Sequence, residues 1–242
     1  MQEKNNLYNI IKKLCEKHAR KGIHVEPKVT EEYKDPITKE VYVLIKAHID
    51  FPTPKGEQYK YVVYKIDPET EKYKLINESC GYEIENEEVK LEKMIPKINI
   101  LHGDDSALYR ERVKKLEDIK YKITQVDNVE DLIKEGEKDK YDLIITDGLF
   151  GPEKTHDVRK GIYENVDGIV VAKKLREKGI TTPIIIYTGI EGIDFAIEAF
   201  QHGIQCYIHK NYDKEKEGLE NLRRAIKKLI YKSEREENVN HF

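Results

Sequence analysis

The sequence has no tryptophan, 2 methionines and 3 cysteines in 242 residues. Cys15, Cys80 and Cys206 lie far apart, too few and too scattered for a disulfide framework or a zinc site. They read as reduced thiols of a cytoplasmic protein. Long apolar runs are also missing. The longest, Val41 to Ile45, Ile184 to Tyr187 and Ile169 to Ala172, are far too short to cross a bilayer. No apolar signal core follows Met1-Gln2-Glu3-Lys4. An excess of one charge is absent too: 43 Lys and Arg stand against 46 Asp and Glu, a net charge of −3. No global positive field therefore recruits nucleic acid or anionic lipid.

What is present is enough apolar material for packed cores: 38% of the residues are hydrophobic. At about 150 residues per domain the length allows one to two domains, and the pattern changes near Met94-Ile95-Pro96-Lys97. The reading is a small unit over 1–95, a second over 96–232, and a frayed tail over 233–242. In the first unit, a helix over about Leu7–Arg20 places Ile10, Ile11 and Leu14 on one face. Strand-like stretches follow at Glu40–Phe51, Lys60–Ile66 and Tyr73–Asn77. Their connections, Pro52-Thr53-Pro54-Lys55-Gly56 and Asp67-Pro68-Glu69-Thr70, suit hairpins, so this is an α+β unit with antiparallel strands. It carries 17 Lys and Arg against 18 Asp and Glu and no helix-turn-helix pattern, so no nucleic-acid footprint is evident.

From Lys97 onward short apolar strands alternate with amphipathic helices. Strands are predicted at Ile98–Leu101, Tyr121–Val126, Tyr141–Thr146, Pro183–Tyr187 and Gln205–His209. Helices are predicted at about Ser106–Glu117, Val129–Glu137, Val166–Lys178, Ile193–Gln201 and Glu215–Lys232. Almost wholly apolar strands alternating with helices indicate a doubly wound α/β domain whose parallel sheet is covered on both faces.

In such a sheet ligands bind beyond the carboxyl ends of the strands. The first strand is followed by Gly103-Asp104-Asp105 and the third by Asp147; the fourth ends in Thr188-Gly189 and the fifth in Lys210. Taken alone, Asp104-Asp105 would serve equally as a helix cap, Asp147 as a turn residue and Lys210 as a solvated lysine. Together they make a pocket of three carboxylates, a hydroxyl and an ammonium. Crowded carboxylates stay ionised only beside a cation, and a hard, oxygen-liganded ion such as Mg²⁺ suits them better than zinc. One carboxylate could then attack phosphorus and carry an acyl phosphate.

These residues carry a resemblance. Asn99 to about Lys232, more than half of the chain, resembles the receiver domain of two-component response regulators, the flavodoxin-like (βα)5 fold of the chemotaxis regulator. Asn99-Ile100-Leu101-His102-Gly103-Asp104-Asp105 is similar to its first strand and acidic pair. Tyr141-Asp142-Leu143-Ile144-Ile145-Thr146-Asp147 is similar to the third strand with its phosphoacceptor. Ile184-Ile185-Ile186-Tyr187-Thr188-Gly189 and Cys206-Tyr207-Ile208-His209-Lys210 are similar to the fourth and fifth strands. The resemblance implies that Asp147 accepts a phosphoryl group from a histidine kinase or phosphotransfer protein. It implies Mg²⁺ held by Asp104, Asp105, Asp147 and the Leu149 carbonyl, with Thr188 and Lys210 on the phosphoryl oxygens. Thr188 and Tyr207 would form the switch that changes partner binding. Such a protein catalyses its own phosphorylation and dephosphorylation without being an enzyme in the usual sense. A homodimer through the last helices is left open, as are the downstream partner and the role of residues 1–95.

The sequence departs from the family in several places. Val166-Asp167-Gly168 resembles the opening of the third helix, but Gly168 comes 21 residues after Asp147, so the loop from Gly148 to Asn165 is enlarged. That loop carries Lys154, His156, Arg159 and Lys160, which make it either a tolerated insertion or a docking element that senses the phosphoryl charge. Asn211 stands where a proline is common, and His102 and Gly103 replace apolar residues. His102 and His209 flank the crevice, where they read as groups that tune its charge with pH rather than as ligands of a transition metal. Two other readings stand beside phosphotransfer: an interaction module that is never phosphorylated, and a metal-dependent phosphohydrolase. Asp147-Gly148-Leu149 lacks the Asp-x-Asp of aspartyl-nucleophile hydrolases.

Overall fold

The computed structural model describes residues 9–14, 16, 28–53, 56–67, 69–70, 72–82, 90–151, 161, 163–210 and 215–239. The chain separates into two compact units, Met1–Pro96 and Lys97–Phe242. Among the described residues no helix is long and apolar enough to cross a membrane.

The first unit is a four-stranded antiparallel sheet in the order β1 (Lys28–Lys34), β2 (Val41–Thr53), β3 (Gly56–Ile66), β4 (Tyr73–Tyr82). Val41, Val43 and Ile45 of β2 pair with Ile66, Tyr64 and Val62 of β3. The two-residue period therefore gathers all six on one face. Ile10 and Leu14, four apart in a helical segment, are buried in the same cluster. The Asp67 connection closes as its residue types suggest: its Oδ1 accepts the Glu69 and Thr70 N–H groups at 2.9 and 3.2 Å.

Strand β1 is an addition to the sequence reading. Four of its seven residues, Lys28, Glu31, Glu32 and Lys34, are charged, so it shows no apolar alternation. It lies at the sheet edge, pairs only with β2 and shifts register between Val29 and Glu31. Charge and irregularity are typical of edge strands, where they discourage further pairing.

The second unit has five parallel strands in the order β6 (Tyr121–Val126), β5 (Ile98–Gly103), β7 (Leu143–Thr146), β8 (Ile184–Thr188), β9 (Cys206–His209). Its helices are α1 (Ala107–Lys114), α2 (Val129–Gly136), α3 (Asp167–Glu177), α4 (Ile193–Gln201) and α5 (Glu215–Val239). Sequential numbering within this unit gives the order 2-1-3-4-5, the flavodoxin-like doubly wound arrangement, whose strand order reverses beside its first strand. All of β7 and β8 is buried. Leu101, Ile144, Ile184 and Ile186 form one core with Ile169, Leu175 and Phe195 from the helices. The last helix runs to Val239, beyond the Glu215–Lys232 span read from its apolar spacing.

Candidate functional site

The parallel ladder continues one residue past each strand and sets the polar groups side by side. The Asp104 N–H donates to the Val126 carbonyl at 3.2 Å, and that of Asp147 to the Gly103 carbonyl at 2.8 Å. The Lys210 N–H donates to the Thr188 carbonyl at 2.6 Å. Residues separated by up to 106 positions meet as a result. Lys210 Nζ donates to Asp104 Oδ2 at 2.7 Å and to Asp147 Oδ2 at 2.6 Å. Asp104, Asp147 and Lys210 are 0, 7 and 2% exposed, so solvent screens this bridge only weakly. Tyr109 flanks the ammonium, its ring centroid 4.2 Å from Nζ, and the Tyr187 ring lies 5.7 Å away. A ring face near a desolvated ammonium adds cation–π stabilisation.

The third carboxylate is exposed. One oxygen from each of Asp104, Asp105 and Asp147 lies within 4.8 Å of the others, and among the described residues no other such group of candidate metal ligands occurs. Asp105 Oδ2 accepts the Gly151 N–H at 2.8 Å. Asp104 Oδ1 accepts the Ser106 N–H at 3.0 Å, so Asp104 divides its oxygens between the helix entrance and Lys210. A cavity of about 660 Å³ opens over Asp105, Asp147, Leu149, Thr188 and Lys210.

Burial dominates the electrostatics. It pushes the Asp104 carboxyl up to about 6, against the downward pull of Lys210 and with help from Asp147. Burial raises Asp147 as well, opposed by Lys210, by the Gly148 N–H and by Thr188. For Lys210, burial alone would lower the pKa, but the Asp147 and Asp104 charges outweigh it and hold the ammonium above its ordinary value. Three acids thus face one ammonium, a charge deficit that a divalent cation with oxygen ligands would fill.

Two glycines let the backbone close around Asp147. A Cβ at Gly148 would lie 2.5 Å from Thr188 Oγ1, so the Thr188 hydroxyl reaches the chain beside Asp147 only because position 148 has no side chain. A Cβ at Gly168 would lie 2.5 Å from the Asp147 carbonyl oxygen, and the Gly168 N–H donates to the Gly148 carbonyl at 3.0 Å. The first turn of α3 is thereby packed onto the end of β7. Thr188 Oγ1 accepts the Ile190 N–H at 3.2 Å, and the Tyr207 hydroxyl donates to the Ile190 carbonyl at 2.5 Å. Thr188 and Tyr207 therefore hold the same residue of the β8–α4 connection from opposite ends. The Tyr207 ring meets Phe195 edge-on at 5.8 Å.

The two histidines part company. His209 pairs with Glu191 at 3.3 Å near the pocket rim. His102 is fully buried, and burial first, then Lys210 and Arg110, push its pKa down to about 3. The expectation that His102 tunes the site's charge with pH is therefore overturned: in a closed site beside an ammonium the ring stays neutral. Its neighbour Gln125 was not singled out in the sequence, and neither was Tyr109. Register places Gln125 opposite His102 on β6, a pairing that no local pattern announces. The basic residues Lys154, His156, Arg159 and Lys160, and Asn211, lie outside the described residues.

No family model matches the chain. It is 36% identical over 111 residues to the transcriptional regulatory protein CiaR of Streptococcus pneumoniae. That match covers 46% of this chain and 42% of CiaR, so the match spans less than half the length of its relative. Similar solved structures include the receiver domain of Francisella response regulator 1452, at 21% identity and a TM-score of 0.46, covering 57% of this chain and 99% of that one. The response regulator domain of Thermotoga maritima CheB gives 22% identity and a TM-score of 0.46, covering 56% of this chain and 97% of that one. With the 2-1-3-4-5 sheet, the acids, hydroxyl and lysine at its strand ends and the sequence similarity to CiaR, the second unit of this chain resembles a response regulator receiver domain.

Proposed function

We propose that this protein is a phosphorylation switch in which Asp147 accepts a phosphoryl group from a histidine kinase or a phosphotransfer protein. The observation that carries this reading is the buried bridge of Lys210 to both Asp104 and Asp147, with Asp105 beside it and the cavity opening over Asp147. Asp104, Asp105 and Asp147, with the Leu149 carbonyl, would hold Mg²⁺, and the all-oxygen donor set fits that ion. When bound, Mg²⁺ supplies the positive charge that keeps the acids ionised and offsets the phosphoryl oxygens.

An Asp147 oxygen attacks phosphorus and forms the new P–O bond as the bond from phosphorus to the donor breaks, its electron pair leaving with the donor. Lys210, already aimed at Asp147, follows the negative charge onto the phosphoryl oxygens. The Thr188 hydroxyl donates to one of them, which draws in the β8–α4 connection that it shares with Tyr207. Phosphorylation adds up to about two negative charges at one point. Moving a two-state loop from 1:99 to 99:1 takes about 5.5 kcal/mol, within reach of several charge-assisted contacts. The product is a changed surface around α4 and β9, with a partner rather than a substrate as its target. Incubation with Mg²⁺ and acetyl phosphate tests this: wild type takes up one phosphoryl group and Asp147→Asn takes up none. Undiminished labelling of that variant would refute the assignment.

A further inference from the structure

His102 stands where its family carries an apolar residue, and it is walled in completely. His102 and Asp104 are two residues apart on an extended chain and project from one face, while Gly103 between them faces Leu132, whose side chain would lie 2.5 Å from an added Cβ. Behind the ring lies Gln125. Its Nε2 donates to the Arg110 carbonyl at 2.6 Å, which fixes the amide orientation, because an amide oxygen could not approach a carbonyl so closely. The same nitrogen lies 3.2 Å from His102 Nδ1. Facing a donor, Nδ1 must be the acceptor, so the proton of the neutral ring is on Nε2. That N–H has no hydrogen-bond partner among the described residues. Its nearest anionic atom is Asp104 Oδ2, 3.9 Å away and at present held by Lys210.

A buried donor left unmade is costly, of the order of 1–3 kcal/mol, and this one points at the carboxylate that Lys210 must share. We infer that His102 is a positioning residue for Asp104, a reserve donor whose Nε2–H takes up Asp104 Oδ2 when Lys210 turns to the phosphoryl group on Asp147. This rests on the reading of Asp147 as phosphoacceptor and of Asp104 as a metal ligand. Lys210 ties Asp104 to Asp147 in the resting pocket; as it swings away, Asp104 would lose the one side-chain donor it has among the described residues. A closing movement of about 1 Å brings Nε2 into ordinary N–H···O range. Gln125 holds the back of the ring during that movement and prevents the exchange of tautomers. Carboxylates that ligate metals are themselves usually hydrogen-bonded, and loss of such a partner typically weakens metal binding by about 10–100-fold.

The experiment follows histidine-labelled wild type by long-range proton–nitrogen NMR, first alone, then with Mg²⁺, then with Mg²⁺ and acetyl phosphate. The expected result is a His102 ring protonated at Nε2 throughout, whose Nε2–H proton moves downfield on phosphorylation as the bond to Asp104 forms. Calorimetric Mg²⁺ titrations of protein phosphorylated on Asp147 complete it: in that state His102→Leu binds Mg²⁺ about tenfold more weakly, while the unphosphorylated proteins bind it alike. His102→Gln, whose amide reaches as far as Nε2, recovers most of the loss. A proton on Nδ1, or an Nε2–H signal unmoved in protein that has taken up phosphate, overturns the inference and leaves the phosphoacceptor reading intact. So does Mg²⁺ binding by His102→Leu equal to wild type when both are phosphorylated. If wild type binds no Mg²⁺ and takes up no phosphate, both readings fall together.

Discussion

Each unit of this chain buries charge, and the two do so for different ends. In the antiparallel unit Asp35 is the fully buried acid among the described residues, and its Oδ1 accepts the N–H groups of Ile37 and Thr38, at 2.8 and 3.0 Å. The acid tightens its own turn, leading to Lys39 at a positive φ of 65° and back into β2. In the parallel unit, Asp104, Asp147 and Lys210 find one another across 63 and 106 positions. A buried charge satisfied two or three residues away is part of the local fold. One satisfied only across the sheet, with two acids sharing one ammonium and a cavity above them, is underpaired for structure alone and suits a site that will accept more charge.

The largest effect expected from this contrast is all-or-none. Asp147→Asn, which leaves Lys210 paired with Asp104, should fold and take up no phosphoryl group from acetyl phosphate, as read by mass spectrometry. Next in size, Lys210→Met leaves two buried acids face to face. Breaking a buried pair costs about 3–5 kcal/mol, and urea unfolding should show a loss near the lower figure, because one acid can relieve the repulsion by taking a proton. Mg²⁺ should restore much of that loss. Asp35→Ala should cost about 1–3 kcal/mol in the first unit by orphaning two buried N–H groups, with phosphoryl uptake unchanged; a fall in uptake would erase the distinction between the two kinds of burial.

The smallest effect is a pH dependence. The Asp104 carboxyl has an ordinary value of 3.8 and is raised to about 6 by burial in the native state. Between those values the folded protein retains a proton that the unfolded chain has lost, so without Mg²⁺ this group makes stability fall as pH rises through that window. Mg²⁺ needs the ionised acid. The rise in melting temperature on adding Mg²⁺ should therefore grow from about pH 4 to pH 6 and level off above it. A Mg²⁺ effect that is flat across this range would show that Asp104 does not titrate as its burial suggests.

Much of the second unit was legible because its strands are buried on both faces. Ile144-Ile145 and Ile184-Ile185-Ile186 read as central strands, and in a parallel sheet that tells where each strand points its carboxyl end. From there Asp104, Asp147, Thr188 and Lys210 had to lie along one edge. Contacts set by register were not legible: Gln125 lies behind His102 only because the β5–β6 ladder pairs those two positions, and nothing within 23 residues of chain encodes that. Lys210 could be placed but its burial could not, since a lysine looks the same in sequence whether solvated or caged by Tyr109 and two acids. In the first unit the apolar alternation of β2 and β3 was plain, whereas β1 owes its existence to an edge that accepts a charged strand.

The contact between Gly168 and the chain at Asp147 and Gly148 has a consequence for how this domain can vary. The hydrogen bond from the Gly168 N–H to the Gly148 carbonyl ties the root of α3 to the end of β7. Because that tie is direct, the position of the Asp147 carboxylate relative to α3 does not depend on how many residues separate the two in sequence, and the length of that stretch is free to change without retuning the pocket.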